Sequence, residues 1–165
     1  MAGKYCFHLI DGHPPTSHRA IGFLEEIMLD GEGDSELDAK EAFDALPRSR
    51  ERELRTRFDY WLSGGPPNDR WFHGWPNDQE VEDCFCFKWK ERRTNHRLYG
   101  YLCNPQPKTN PRFQTCVLIY HDAKNDESTN RTILIRAMNL KENTGVRVAV
   151  SFIFPDEAKG REHIQ

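Results

Sequence analysis

The sequence lacks the features that mark a membrane-spanning or secreted protein. Its 165 residues are 37% hydrophobic, and no apolar run approaches the roughly 18 residues that a bilayer span requires. The first residues do not show the basic and then apolar pattern of a signal peptide. The five cysteines are odd in number, which is not typical of a disulfide framework. We therefore expect a single domain over residues 1–165 that is cytoplasmic, keeps reduced thiols and does not bind a membrane.

Several motifs of catalytic and metal-binding sites are also missing. There is no Gly-rich phosphate loop after a strand, no Gly-x-Ser-x-Gly elbow and no His-Glu-x-x-His pair, which disfavours nucleotide hydrolysis, a hydrolase triad and a metalloprotease. Cys84 and Cys86 lack the two-residue spacer of ordinary zinc knuckles. His8, His13 and His18 recur every five residues, a spacing that fits neither one helix face nor one strand face. We expect neither a metal nor a cofactor.

The net charge is small, but the charged residues are unevenly distributed along the chain. The formal net charge is −3, yet the segment from Met1 to Leu46 holds ten acids and only three bases. From Cys84 to Cys103 the balance reverses, with five bases and one acid. A local positive field of this kind attracts a polyanion to one face of an acidic molecule. The alternative is a solvated sheet face whose charges have no binding role.

The segment from Cys84 to His121 is predicted to form a three-stranded antiparallel meander. Residues 84–90 alternate strictly, which indicates a half-buried strand with a basic outer face. Its apolar face carries Phe85, Phe87 and Trp89, and its outer face carries Cys84, Cys86, Lys88 and Lys90. After a turn at residues 92–95, residues 96–103 alternate again and complete a hairpin. A proline-rich loop then leads into a mostly apolar strand over residues 113–121.

The rest of the chain shows a mixture of helix and strand patterns. Residues 48–62 are the clearest helix, because their apolar members recur at helical spacing. The arginines of this helix alternate with glutamates, which indicates a solvated, ion-paired face, with RNA contact as the alternative. The other predictions are strands at 4–10 and 146–154, a helix from Ser35, an aromatic loop covering the core at 68–83, and helix or strand at 17–28 and 128–140.

The order of these elements resembles the RelE/ParE toxin superfamily, including HigB-type and related phage-derived proteins. A helical pair entered through Ala45-Leu46-Pro47 precedes an antiparallel sheet. The matching segments are Phe87–Lys90, His96–Tyr101 and Cys116–Asn125, which look like the central strands of the family and the lysine-bearing turn after them. The resemblance covers about residues 43–140. It implies an α+β fold with N-terminal helices packed on a compact antiparallel sheet, here with an extra C-terminal strand.

For the RNA-cleaving branch of this family, the resemblance implies a ribosome-dependent mRNA endoribonuclease that needs no metal. A ribose 2′-OH would attack the adjacent phosphate, helped by a base, an acid and cationic stabilisation. The catalytic candidates are Lys88, Lys90, Arg97 and His121. The lysines would stabilise phosphate or act as base, Arg97 would hold transition-state charge, and His121 or His96 would exchange protons. The RNA-binding candidates are Arg92, Arg93, His96, Tyr99, Tyr101 and Lys124, with the tyrosines stacking on splayed bases.

Two other functions stay open at this point. A non-catalytic binding protein on the same scaffold would inhibit a topoisomerase, as the ParE branch does, or recognise nucleic acid. A phage-derived interaction protein would instead present its basic sheet to an acidic protein. The partners implied by the toxin interpretation are mRNA, the ribosome and a small antitoxin that neutralises the basic sheet. The sequence leaves the oligomeric state open.

Overall fold

The structure, a computed structural model, describes residues 4–154 apart from 30, 32, 34 and 127. These residues form an α+β fold with a six-stranded sheet and four helices. The strands are β1 (Tyr5–Leu9), β2 (Arg19–Glu26), β3 (Phe72–Gly74), β4 (Cys84–Glu91), β5 (Thr94–Cys103) and β6 (Gln114–Lys124). The helices are α1 (Ala39–Asp44), α2 (Arg48–Leu62), α3 (Arg131–Lys141) and α4 (Thr144–Phe152). No helix in the described part of the chain is long and apolar enough to cross a membrane.

The sheet is mixed, with the strand order β1-β2-β6-β5-β4-β3. Strands β4, β5 and β6 form the predicted antiparallel meander, with Cys86 opposite Tyr99 and Tyr99 opposite Tyr120. The prediction of an antiparallel sheet is wrong at one pairing, because β2 runs parallel to β6. The chain between these two strands forms α1, α2 and the β3–β5 region, and such a long connection allows β2 and β6 to point the same way.

Helices cover both faces of the sheet. On one face, α1 and α2 bury an aromatic core that includes Phe43, Phe58 and Trp61. On the other face, α3 and α4 cover Tyr99, Tyr101 and the rest of a second core. The expected packing of N-terminal helices on the sheet therefore describes only one of its two faces. The helix predicted at 48–62 is confirmed with those bounds.

The predicted extra C-terminal strand is wrong, because residues 144–152 form α4. The side chain of Asn143 accepts a hydrogen bond from the Val146 N–H at 3.2 Å and caps the helix. Val146 and Val150 are buried, whereas Val148 and Phe152 are 55% and 86% exposed. Alternating residues also include pairs four apart, and such pairs share a helix face, so an alternating run does not exclude a helix.

The segments left open in the sequence are now assigned. Residues 19–26 form a strand, β2, rather than a helix. Gly22 fits the close approach of β1, since a Cβ there would lie 2.3 Å from the His8 carbonyl oxygen. Residues 131–141 form helix α3, capped by Asn130. Within the aromatic segment 68–83, residues 72–74 add the short edge strand β3.

Candidate functional site

A basic cleft lies at the sheet edge where β3 ends and β4 continues. Strand β3 pairs only with Phe85, Cys86 and Phe87 of β4, so the second half of β4 extends beyond it. The cleft here has a volume of about 720 Å³. It is lined by the five cationic residues Arg57, Arg70, Lys88, Lys90 and Arg97, by the acids Glu53 and Asp69, and by His73, Trp89, Asn95, His96 and Thr129. The candidate site is therefore strongly basic within a molecule of net negative charge.

The pairing register explains why the predicted cations of the meander meet. Lys88 lies opposite Arg97, and Lys90 lies opposite Asn95. Residues two apart on a strand share a face, and directly opposed residues share a face across the ladder. Lys88, Lys90 and Arg97 thus occupy the side of the sheet that carries α3. The next positions across β6 are Asp122, opposite Arg97, and Lys124, opposite Asn95.

Arg97 is held in a partly desolvated position at the floor of this cleft. The residue is only 8% exposed. Its Nη1 donates to Tyr99 Oη at 3.3 Å and to Thr129 Oγ1 at 3.4 Å. Thr129 directly precedes the N-cap of α3. Lys88 Nζ donates to the Asp69 carbonyl oxygen, which draws the loop before β3 against the strand.

His73 lies on the same side of the sheet as Lys88 and Arg97, in the neighbouring row of side chains formed with Cys86 and Tyr99. It is paired with Cys86, and its Nδ1 lies 3.9 Å from the Cys86 sulfur. Burial, followed by the positive charges of Lys88 and Arg97, lowers the pKa of His73 to about 4. Burial raises the pKa of the Cys86 thiol to about 11. At neutral pH the cleft therefore contains a neutral imidazole beside two cations, because burial and the neighbouring cations both disfavour a positive charge on His73.

His96 and His121, the two histidines that the sequence predicts as site residues, lie on the opposite side of the same strands. His96 Nδ1 and His121 Nε2 are 2.9 Å apart and share a hydrogen bond. The His96 ring stacks on Trp89 with 4.9 Å between centroids, and the His121 backbone N–H donates to Asp38 Oδ1. Burial, followed by His96, lowers the pKa of His121. His96 lines the cleft where it wraps around the strand edge, but His121 is not among its lining residues.

The sheet thus separates the predicted catalytic residues into two groups. Lys88, Lys90 and Arg97 are together on the α3 side, whereas His121 lies with His96 on the α2 side. The sequence alone predicts this separation, because adjacent residues of a strand, such as 96 and 97, point to opposite faces of the sheet. Among the described residues that line the cleft, His73 is the imidazole on the side of the three cations. The sequence predicts a loop that covers the core at this position, because the short strand β3 has no clear periodicity that would reveal it.

Helix α2 and the loop before β3 add further charges that the sequence did not place here. Arg57 Nη1 donates to the Lys88 carbonyl oxygen, and Arg57 also pairs with Glu53 four residues earlier. Its guanidinium lies 5.7 Å from the centroid of the Trp71 ring. Glu–Arg spacing on α2 correctly predicts the ion pairs, but it contains no signal that α2 borders β4. Arg70 lies on the rim in the segment assigned to an aromatic loop.

The remaining RNA-binding candidates differ in their exposure. Tyr99 and Tyr101 are 0% and 2% exposed, so their prediction as base-stacking platforms is wrong; α3 and α4 cover their rings. Arg92 and Arg93 lie exposed in the β4–β5 turn. Lys124 is half-buried, with its Nζ 3.9 Å from Asp122 Oδ2.

The prediction of a basic outer face on β4 is wrong for its first half. Cys84 and Cys86 are buried on the α3 side. The Cys84 thiol donates to the Leu134 carbonyl oxygen of α3 at 3.3 Å. The exposed basic part of the strand is confined to the end that extends beyond α3, where Lys90 is exposed and Lys88 is half-buried.

No family model, curated protein or solved structure matches this chain. The chemistry of the cleft is therefore the basis for any functional conclusion. Arg and Lys groups on one wall can bind phosphate oxygens, and arginine can do so with two parallel hydrogen bonds. A neutral imidazole beside them can accept a proton.

Proposed function

We propose that the protein is an RNA-binding endoribonuclease of the toxin type, which cleaves mRNA at the ribosome through the basic cleft. The observation that carries this proposal is the grouping of Lys88, Arg97 and His73 on one wall. Lys88 and Arg97 supply positive charge, and His73 supplies an imidazole that burial and these two cations keep uncharged, which also makes it a weaker base than an ordinary histidine. Cleavage by attack of a ribose 2′-OH requires these two kinds of group at the same phosphate.

Phosphate binding is assigned to the three cations of the meander. Arg97 is partly desolvated, so its interaction with a phosphate is less screened than that of a surface arginine. Lys88, directly opposite Arg97, is half-buried, and Lys90 is exposed, so the three cations extend from the buried arginine to the solvent. In the transition state negative charge increases on the phosphate oxygens, and groups already held in place stabilise that charge without reorganising.

Proton transfer is assigned to His73 in preference to His121. His73 accepts the proton of the 2′-OH while the oxygen forms its bond to phosphorus. The bond from phosphorus to O5′ breaks, and the ammonium group of Lys88 or Lys90 returns a proton to that oxygen. The products are a 2′,3′-cyclic phosphate and a 5′-hydroxyl end. His121 and His96 lie on the α2 side of the sheet, where both rings stack near Trp89, and their proposed role is to position Trp89 and the end of β4.

The first test is inducible expression in a bacterial host, with growth and mRNA 5′ ends measured. The variant is the triple substitution Lys88→Ala, Lys90→Ala and Arg97→Ala. The matched control removes three exposed arginines outside the cleft, Arg48→Ala, Arg52→Ala and Arg112→Ala. We expect growth arrest and new mRNA ends from the wild type and the control, and neither from the triple variant. Circular dichroism and urea unfolding of each purified protein establish that it folds.

Other outcomes would favour the alternative functions. Arrest without new mRNA ends would overturn the cleavage proposal and favour topoisomerase inhibition. An absence of any effect from the folded wild type would favour a non-catalytic binding protein. If the control variant lost activity as completely as the triple variant, the cleft would not be the site.

A second test separates the two imidazole assignments. In a purified ribosome and mRNA assay, His73→Gln should reduce the cleavage rate by about 100-fold or more, the usual contribution of a general base. RNA binding should be retained, because the cations remain. His121→Gln should retain most of the rate. A larger loss from His121→Gln than from His73→Gln would reverse the assignment.

A further inference from the structure

The edge of the sheet farthest from the cleft brings together three different metal-ligand types. Cys6 and His8 lie two residues apart on β1 and therefore share one face of the strand. Glu25 on β2 is directly opposite Cys6 in the antiparallel register. This face is the one that carries α1, because Phe23, two residues before Glu25, belongs to the core beneath α1 and α2.

The donor atoms of these side chains are already close together. Among the residues that the structure describes, the sulfur of Cys6, a ring nitrogen of His8 and a carboxylate oxygen of Glu25 all lie within 4.8 Å of one another. His8 Nε2 and Glu25 Oε2 are 3.5 Å apart. Tetrahedral Zn²⁺ holds its ligands at about 2.0–2.3 Å, which separates neighbouring donor atoms by roughly 3.3–3.8 Å. The donor atoms therefore have to approach one another by at most about 1.5 Å to reach that geometry.

We propose that Cys6, His8 and Glu25 form a binding site for a transition metal ion of the Zn²⁺ class. The sulfur, nitrogen and oxygen donors are each established zinc ligands, and a site that includes a thiolate favours Zn²⁺ over Mg²⁺ or Ca²⁺. Three protein ligands leave a fourth position for water or another ligand. The site joins the two strands at the β1 edge, and it does not depend on the function proposed for the cleft at the β3–β4 edge.

Neighbouring groups leave this site accessible to an ion. The side chains of His8 and Glu25 are 59% and 34% exposed, so an ion can enter from solvent. Lys40, a nearby cation on α1, has its Nζ 2.6 Å from Asp44 Oδ2. In the structure His8 Nε2 faces Glu25 Oε2 at 3.5 Å, and the Cys6 thiol donates weakly to the Glu25 carbonyl oxygen at 3.9 Å.

The test is titration of the purified full chain with Co²⁺, followed by displacement with Zn²⁺. Co²⁺ bound to a thiolate shows a charge-transfer band and the visible bands of tetrahedral coordination. Cys6→Ser should abolish the charge-transfer band. His8→Ala and Glu25→Gln should weaken Zn²⁺ binding by more than the roughly 10- to 100-fold that follows loss of a mere supporting partner. Cys103→Ser and His18→Ala, which alter a cysteine and a histidine elsewhere, should leave the titration unchanged.

Stability provides a second measurement of the same binding. Zn²⁺ at 100 times its dissociation constant should stabilise the folded protein by about 2.7 kcal/mol, and the Cys6→Ser variant should lose this shift. Wild-type protein that shows no thiolate band overturns the proposal in favour of a surface ion pair. A band that survives Cys6→Ser but disappears in Cys103→Ser also overturns it, because the ion would then be held elsewhere.

Discussion

Gly100 lies at the irregularity where β5 changes its register against β6. The register shifts between Tyr99 and Gly100, and a Cβ added at Gly100 would lie 1.8 Å from the Val117 carbonyl oxygen. Backbone atoms cannot give way as the end of a flexible side chain does. The close approach of the two strands therefore requires a glycine here. Gly100 is the residue after Tyr99, which pairs with Cys86 of β4.

We expect Gly100→Ala to destabilise the protein by about 1–3 kcal/mol or more, because it overpacks a fixed backbone contact. Urea unfolding monitored by circular dichroism measures this change. Gly33→Ala is the matched control, since a Cβ there has no described atom within 4 Å. A Gly100→Ala protein as stable as the Gly33→Ala protein would contradict the packing of β5 against β6.

The histidine residues provide a second prediction at the residue scale. The pKa of His73 is about 4 in the folded protein, below its ordinary value of about 6.5. The unfolded chain therefore binds more protons than the folded chain between these pH values. The contribution of His73 to stability should rise with pH from about 4 to about 6.5 and be lost on acidification, with a slope of at most about 1.4 kcal/mol per pH unit for this one group. The lowered pKa of His121 acts in the same direction.

Unfolding in urea across this pH range measures the slope. The variant carrying His73→Gln and His121→Gln should show a flatter dependence than the wild type, and His18→Gln, at an exposed position, should not. Equal slopes for the wild type and the double variant would show that neither histidine is desolvated in solution.

Among the elements, α4 shows most clearly where a sequence pattern is not enough to predict the structure. Residues 48–62 were predictable because Leu54, Phe58 and Trp61 repeat only at helical spacing. Val146 and Val150 fit a strand face as well as a helix face, and β-branched residues favour the strand assignment. Two features identify the segment as a helix: the N-cap at Asn143, and the burial of Val146 and Val150, which lie four residues apart. Burial depends on tertiary packing, which the local sequence pattern does not contain.

Asn143→Ala should therefore destabilise the protein by about 1 kcal/mol, the usual effect of losing an N-cap hydrogen bond. The Asn143 side chain accepts from the Val146 N–H, and alanine leaves that N–H without this partner. The measurement is thermal unfolding followed at a helix-sensitive wavelength. Asn125→Ala, an exposed change in the turn after β6, is the control. An unchanged midpoint for Asn143→Ala would argue against a capped helix here.

The cleft was partly predictable for a related reason. Strand alternation places Lys88 and Lys90 on one face, and a hairpin register brings Arg97 to the same face. Alternation alone also separates His96 from these residues. It cannot bring in Arg57, Arg70 or His73, because their positions depend on how α2 and the loop before β3 meet the edge of β4. Contacts between elements distant in sequence carry no periodic signal within either element.

For the whole molecule, the important property is the contrast between its net charge and its local field. A net charge of −3 would repel a polyanion at long range, whereas the cleft has five cationic and two acidic side chains. Salt screens charges beyond about 10 Å at 0.1 M ionic strength. Binding of single-stranded RNA to this cleft should therefore weaken as salt concentration rises, through release of the cations condensed on the RNA.

The slope of log K against log salt concentration measures how many phosphates the protein neutralises, at about −0.7 per phosphate for a single strand. Removing Lys88, Lys90 and Arg97 together should make the slope shallower by up to about 2, if each side chain neutralises one phosphate. Fluorescence anisotropy with a labelled RNA at several salt concentrations gives both slopes. The variant lacking Arg48, Arg52 and Arg112 loses the same formal charge from other surfaces. It should keep the wild-type slope, because counterion release depends on contacts with RNA, whereas a change in net charge alone would affect both variants equally.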